Sequence, residues 1–382
     1  MRNKLKLVFF VFCCVVGLTT LMFVWTTPKM VSTILLHVEN EANLVVGPEA
    51  CRMNRSWDGQ VQLGIPAVLI NLSRNETANV TDWVSRLHRD MCPDSPDLLE
   101  IPLTFPDVLL IVDFNSPNLY SVIPYLELLY RRHFADILYC GDGLETLKDI
   151  IVQKNITFPV NFLHISNHAW QMKYRCLEYA MKMCGDYKGY LLIGDDTLVN
   201  VKTLRALGED RVLLGKDFLR WVVNTTQFKS SWMWWGNEGG RNAMLGVLNE
   251  LVYRAVHEHD VFAKQFLHRY YTFINSSTIF YRVATDFVYV PTRLAPFFIY
   301  MTSLFRKYGA NIELAMPFFA CGLAHPNDIV LANEQDLWGG NRGKAVQLFT
   351  SDILYLHPFK YGTDFKTPAG QEFICKKYLR ER

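Results

Sequence analysis

The sequence predicts an α/β protein with a Rossmann-like, mostly parallel sheet and helices on both faces. Three observations predict it. Apolar runs of strand length recur without polar alternation, as fully buried parallel strands require. Stretches with helical spacing lie between them, in β-α-β order. One run, Gly189-Tyr190-Leu191-Leu192-Ile193-Gly194, ends abruptly on Asp195 and Asp196, and open α/β sheets bind ligands beyond the carboxyl ends of their strands.

The chain has 382 residues, 50% of them hydrophobic and 20% charged, enough for one large domain or two smaller ones. Its N-terminus opens with Arg2, Lys4 and Lys6, then an uncharged apolar run from Leu7 to Trp25. That run exceeds the roughly 7–15 apolar residues of a signal peptide. Trp25-Thr26-Thr27-Pro28 offers no small-x-small cleavage site. A transmembrane signal anchor over 7–26, behind a cytosolic tail 1–6, is therefore expected. Everything beyond would be lumenal.

Residues 27–105 read as a stem or N-terminal extension. Sequons begin at Asn54, Asn71, Asn75, Asn79, Asn155, Asn224 and Asn275, where chance supplies roughly two or three. Four of them precede residue 82, which marks an exposed segment. Of nine cysteines, Cys13 and Cys14 fall in the anchor and seven are lumenal, with no C-x-x-C spacing. Two or three disulfides are expected, with at least one cysteine left free or intermolecular, and their connectivity is open.

From residue 106 strand and helix alternate. Val108–Val112 is an apolar run ending at Asp113. Leu119–Phe134 has helical spacing at Val122, Tyr125, Leu126, Leu129 and Tyr130; Pro124 fits its first turn if the helix starts near Ile123. Asp136–Cys140 reads as a second strand, Asn161–Ile165 as a third, and His168–Cys184 as a helix. The run ending on Asp195 is then the fourth strand. Parallel strands with right-handed crossovers bring Asp113 and Asp195-Asp196 to one edge. A nucleotide can lie across that edge, its base near Asp113 and its diphosphate near the acid pair. Paired hard oxygens there suit Mn²⁺ or Mg²⁺. The alternative is a polar strand-to-loop turn.

Several classes are excluded. The net charge is +2 with both signs interspersed, so there is no footprint for nucleic acid. No G-x-G-x-x-G follows the first strand and no P-loop occurs.

A short basic tail, a signal anchor, a glycosylated stem and acids after a fourth strand resemble type II Golgi glycosyltransferases of the GT-A fold. Gly194-Asp195-Asp196-Thr197-Leu198-Val199-Asn200 resembles the Asp-Asp-Asp-[Val/Thr]-[Phe/Leu]-Val-Asn stretch of fringe-like enzymes, with Gly194 in place of the first aspartate. Asp286–Pro291, Glu313–Pro317 and His357–Lys360 are similar to segments of the STELLO-type glycosyltransferases. The resemblance covers about 106–365, which becomes the GT-A-like catalytic domain, with 366–382 as a C-terminal tail. It implies a nucleotide-sugar donor, most simply a UDP-sugar, and a glycan or glycoprotein acceptor in the Golgi or ER. It implies Asp196 as the metal ligand, with Asp195 supporting it and contacting the donor.

The later segments have matching chemistry. His357 follows the apolar Ile353–Leu356 and is a candidate Mn²⁺ ligand, as a C-terminal His is in GT-A enzymes; otherwise it caps a strand. Lys360 can neutralise a leaving diphosphate or be simply solvated. Glu313 lies in an apolar stretch before a short helix expected from Pro317 to Gly322. It is the candidate general base toward the acceptor, or else pairs with Arg306 or Lys307. Asp286 reads as structural. Trp232–Asn237 can stack on sugar or serve as a hydrophobic core anchor, and the Gly-rich Trp338–Arg342 can close over the donor. Lys173 and Arg175, on the helix before the fourth strand, can meet phosphate or else face solvent. A non-catalytic relative that scaffolds or retains other enzymes is the alternative function, kept open by Gly194. A homo- or hetero-oligomer is compatible with either.

Overall fold

The computed structural model describes residues 61–62, 67–72, 80–93, 103–158, 160–166, 173–182, 187–205, 208, 210–216, 219–222, 232–275 and 279–379. The expected anchor over 7–26 lies outside the described residues. Among those described, no helix is long and apolar enough to cross a membrane.

In chain order the elements are strands β1 (Val61–Gln62) and β2 (Ala67–Leu72), helix α1 (Val80–Met91), β3 (Phe105–Asp113), α2 (Ile123–Tyr130), β4 (Phe134–Gly141), α3 (Leu144–Gln153), β5 (Val160–Ile165), α4 (Tyr174–Lys182) and β6 (Gly189–Gly194). Then come β7 (Leu198–Val199), α5 (Val201–Arg205), β8 (Val212–Leu214), β9 (Leu219–Val222), α6 (Arg241–His257), α7 (Val261–Ile274), β10 (Ile279–Arg282), β11 (Phe287–Pro291), α8 (Ala295–Tyr308) and α9 (Ile312–Leu323). Three short strands finish the set: β12 (Ile329–Leu331), β13 (Glu334–Asp336) and β14 (Tyr355–His357).

The main sheet has the order β1-β2-β5-β4-β3-β6-β11-β8-β12. Strands β5, β4, β3 and β6 are mutually parallel, and of the whole sheet only β2 and β11 run against the rest. The chain builds outward from β3 through β4 to β5, then returns to the other side of β3 with β6. The sheet therefore reverses direction between β3 and β6, where α/β sheets open a ligand crevice. Asp113 and Asp195 follow those two strands.

Period-2 alternation divides each buried strand between two cores. Tyr190 and Leu192 pack with Tyr174, Leu177, Val247, Phe298 and Phe318 from α4, α6, α8 and α9. Leu191 and Ile193 pack on the other face with Leu126, Leu129, Leu147 and Tyr355. Both faces of β6 are buried, which accounts for its unbroken apolar run.

The domain is wider than the sequence indicates. Strand β2 pairs with β5 along its whole length, from Ala67↔Ile165 to Leu72↔Val160, and α1 buries Trp83 against Phe158, ring centroids 4.6 Å apart. Part of the expected stem thus covers the sheet edge. The expected tail is also integral: Phe373, Ile374, Tyr378 and Leu379 are buried, and Cys375 is disulfide-bonded to Cys92. Cys140 and Cys176 form a second bridge, and Cys321 is free and buried.

Helix α9 corrects another expectation. It begins at Ile312 and carries Pro317 in its interior. Asn311 caps it, its side chain accepting from Glu313 N at 2.8 Å. Proline has no N–H to give the carbonyl four residues back. That carbonyl, of Glu313, instead accepts from Val283 N at 3.0 Å, so the interrupted rung joins α9 to the end of β10.

Candidate active site

Three backbone connections assemble the site. After β6 the chain turns through Asp195 and Asp196, with Thr197 N bonded to Gly194 O at 3.1 Å and Asp195 N to Asp113 O at 3.0 Å. Strand β7 then pairs antiparallel with β14 through Leu198↔Leu356 and Val199↔Tyr355, bringing His357 opposite the acid pair. Phe359 N closes the clamp on Asp196 O at 2.6 Å. From behind, the Tyr361 hydroxyl donates to Thr197 O at 2.7 Å, and the Tyr130 hydroxyl accepts from Val199 N at 2.9 Å.

Asp196 sits between two cations. Its Oδ1 lies 3.3 Å from His357 Nε2, an ion pair without a well-formed hydrogen bond, and Lys360 Nζ is paired with its Oδ2. His357 Nδ1 faces Asp286 Oδ2 at 3.4 Å and Glu334 Oε1 at 3.9 Å. Asp286 Oδ1 accepts from Lys173 Nζ at 3.2 Å, which is also 4.0 Å from Asp113 Oδ2. Asp195 accepts from Asn115 N and Nδ2, each at 3.2 Å. Trp338, half-exposed, meets the His357 ring edge-on at 5.9 Å, with the Arg342 guanidinium 5.2 Å from its own ring centre.

The electrostatics follow from crowding of buried acids. Burial and the neighbouring Asp196 charge push Asp195 up to about 7. Burial likewise lifts Glu334 to about 7. Burial would also raise Asp196, but His357 and Lys360 together hold it well below the usual carboxylate range. Burial opposes charge on His357, yet Asp286 and Asp196 raise it to about 8. Lys173 is buried, and Asp286 and Asp113 overcome that penalty to raise its pKa. Against burial, His357 and Lys173 keep Asp286 below its ordinary value.

Of the residues predicted from sequence, Asp113, Asp195, Asp196, His357 and Lys360 come together through these contacts. Asp113 is fully buried and turned toward Lys173 and the Cys176 sulfur, which lies 3.2 Å from its Oδ1. Glu313 pairs with Arg282, whose Nε meets its Oε2 at 2.5 Å. Asp286 and Lys173 still contribute to its electrostatic surroundings, while burial raises its pKa. The expected partners Arg306 and Lys307 pair instead with Glu178 and Glu250. Arg282 also lies over the Trp232 ring at 4.9 Å. In the tryptophan cluster Trp235 is core and Met233 is exposed.

Asp286, read as structural, and Lys173 are central to the site. Lys173 and Arg175 are buried rather than outward-facing, and Asp286 touches both Lys173 and His357. The available signal was Asp286 standing directly before an apolar strand, as Asp195 stands after one.

The residues fit a hard divalent cation. Two cis ligands of an octahedral ion with bonds of about 2.1 Å lie about 3 Å apart, close to the 3.3 Å between Asp196 Oδ1 and His357 Nε2. One is a carboxylate oxygen and the other an imidazole nitrogen, a donor pair suited to Mn²⁺. The group Asp113, Cys140 and Cys176 also converges within 4.8 Å. Its sulfurs form a disulfide and have no thiolate to offer.

An α/β fold with an acid-lined crevice at its switch point is a ligand-binding architecture. Residues 104–260 match the STELLO glycosyltransferase family. The similarity read from the sequence thus holds over that span, and it supports glycosyltransferase activity. Asp286, Glu313 and His357 lie beyond it. No curated protein matches the chain. Among solved structures it is similar to the apo WbbM bifunctional glycosyltransferase, at 9% identity and a TM-score of 0.34, over 73% of this chain and 52% of that one. The chain therefore spans about half the length of that structure. An active-site mutant of LgtC matches at 10% identity and a TM-score of 0.36, over 70% of this chain and 94% of that one. The apo form of mouse xyloside xylosyltransferase 1 matches at 10% identity and 0.30, over 67% and 98%.

Proposed function

We propose that this protein is a metal-dependent glycosyltransferase. It moves a sugar from a nucleotide-sugar, most simply a UDP-sugar, to a glycan or glycoprotein acceptor. The observation that carries this reading is the 3.3 Å approach of Asp196 Oδ1 to His357 Nε2 at the β3–β6 switch point. Bound there, Mn²⁺ or Mg²⁺ would offset the charge developing on the leaving diphosphate. Lys360, half-exposed beside the same carboxylate, adds a second positive charge for that diphosphate. Asn115 and Asp195 order the turn on the nucleoside side. Trp338 offers an aromatic face to the donor. Glu313 takes the acceptor proton if the reaction inverts, and Arg282 beside it stabilises its ionised form. The anchor expected over 7–26 would put this domain in the Golgi or ER lumen as a single-pass type II protein.

The test is Mn²⁺-dependent hydrolysis of a panel of nucleotide-sugars by the full-length protein. Asp196→Ala should lower it by at least about 100-fold, the scale of losing a group that stabilises transition-state charge. Absence of both hydrolysis and Mn²⁺-dependent UDP binding, with Asp196→Ala indistinguishable, refutes the reading. A second reading, a non-catalytic scaffold of glycosyltransferase form, draws on two contacts: Lys360 already occupies Asp196 and Arg282 occupies Glu313. Retained UDP binding without turnover across the panel would favour it.

A further inference from the structure

Asp286 is tied at every polar atom that the site can reach. Its Oδ1 accepts from Lys173 Nζ at 3.2 Å and its Oδ2 faces His357 Nδ1 at 3.4 Å. Its carbonyl accepts from Gly194 N at 3.0 Å and from the Thr197 hydroxyl at 3.1 Å. The register explains this convergence. Strand β11 runs antiparallel beside β6 with Phe287 opposite Ile193, so Asp286, one residue earlier, stands level with Gly194, one residue later.

That level placement bears on residue 194. A Cβ added to Gly194 would lie 3.2 Å from Thr197 Oγ1, 3.5 Å from Asp196 Oδ1 and 3.7 Å from Asp286 Oδ1. A methyl group there is tight against Thr197. A carboxylate would be driven between two others in a buried site, where like charges are strongly unfavourable. The tight neighbour of a side chain at 194 is Thr197 Oγ1; Asp286 Oδ1 stands at ordinary contact distance, so what it opposes there is a second carboxylate.

We propose that Asp286 is the positioning carboxylate of this site: it holds His357 through Nδ1 so that Nε2 faces Asp196 for a divalent cation, and its charge disfavours a further carboxylate at residue 194. The inference rests on the metal reading above and deepens it. A carboxylate on one imidazole nitrogen fixes the tautomer, assigned here from its partner, and makes the other nitrogen a better ligand. Glu334 is the other acid facing Nδ1, but it stands farther off at 3.9 Å and accepts from the Tyr355 hydroxyl at 2.8 Å. Asp286 is a positioning residue rather than a ligand, since both its oxygens are engaged by other groups.

The experiment measures Mn²⁺ binding alone, by the loss of the free-ion EPR signal, with full-length protein. Asp286→Asn keeps the shape and removes the charge; it should weaken Mn²⁺ binding about 10–100-fold, the usual cost of an outer carboxylate. Gly194→Asp in the wild-type background should weaken it as well, by crowding. Combined with Asp286→Ala, the same Gly194→Asp change should restore affinity to within about tenfold of wild type, because the carboxylate is moved and not lost. Wild-type Mn²⁺ affinity in Asp286→Asn, while Asp196→Ala has lost binding, overturns the proposal and leaves the site reading intact. Wild-type affinity in Asp196→Ala overturns the site reading itself. If Asp286→Asn does not fold, Gly194→Asp decides alone, and an unchanged affinity there also overturns the proposal. A lowered unfolding midpoint with unchanged Mn²⁺ affinity marks Asp286 as merely structural and counts against it.

Discussion

Lys173 is the buried cation on which the acidic site depends, and Lys173→Met tests that dependence. Methionine approximates the length of the side chain and removes the charge. The ammonium is 5% exposed as a residue and stands 3.2 Å from Asp286 and 4.0 Å from Asp113. At an effective dielectric of about 20, the nearer contact alone has a gross attraction of about 5 kcal/mol, reduced by desolvation. Removing one member of a buried ion pair costs about 3–5 kcal/mol because the remaining charge is uncompensated. For a domain of this size that corresponds to roughly 6–10 °C in the unfolding midpoint. The sign with pH follows from Asp286, whose pKa is held down by His357 and Lys173. Without the lysine its pKa rises, so the carboxyl protonates more readily and needs no partner. The deficit of Lys173→Met should therefore be full at pH 7.5 and shrink toward pH 5. The assay is thermal unfolding of the full-length protein in excess EDTA at both pH values. A loss below about 1 kcal/mol at pH 7.5, with no narrowing at pH 5, would refute the placement of Lys173 as the counter-ion.

His357 makes a prediction of opposite chemical sign. Its folded pKa, raised to about 8, exceeds the ordinary value, so its stabilisation is complete below about pH 6.5 and is lost as pH rises through 8. EDTA-treated protein should lose about 2 kcal/mol over that window, and His357→Gln should flatten the profile; equal slopes in both proteins would contradict the assignment. The Cys92–Cys375 bridge closes 283 residues, worth up to about 5–6 kcal/mol by chain entropy. The double serine variant should unfold at a clearly lower midpoint than wild type, and equal midpoints would show that the bridge contributes nothing. Trp338→Ala should raise the donor KM about tenfold with little change in kcat, since an aromatic contact is worth roughly 0.5–1.5 kcal/mol beyond the area it buries. A kcat loss at constant KM would place Trp338 in the chemistry instead.

The parallel strands are legible in the sequence because each is buried on both faces and so must be apolar throughout; β6 is the clearest instance. Their carboxyl ends locate Asp113 and the Asp195-Asp196 pair without further information. His357 and Lys360 are legible because they follow a short apolar strand, although only the β7–β14 register shows that this strand faces Asp196. Asp286 and Lys173 are not legible. Their roles arise from an antiparallel strand inserted beside β6 and from the approach to α4; the one local trace is Asp286 standing before an apolar strand. The C-terminal segment misleads for a related reason: its apolar residues are few and spaced by charged ones, yet Phe373 and Tyr378 are buried. Pro317 misleads differently. A proline ordinarily marks a helix start, but here the carbonyl it leaves unbonded finds Val283 N.

That same substitute bond has a bearing on how the protein can change over time. The spacing between positions 282 and 313 is set by main chain, through a rung no side chain contributes to. Residues at both positions can be exchanged while the scaffold beneath them stays in register. An acid and a guanidinium occupy them now, but the joint would present other pairs at the same separation. If Glu313 faces the acceptor as proposed, acceptor preference is separable from fold, and positions 282 and 313 are where a library aimed at new acceptors should begin.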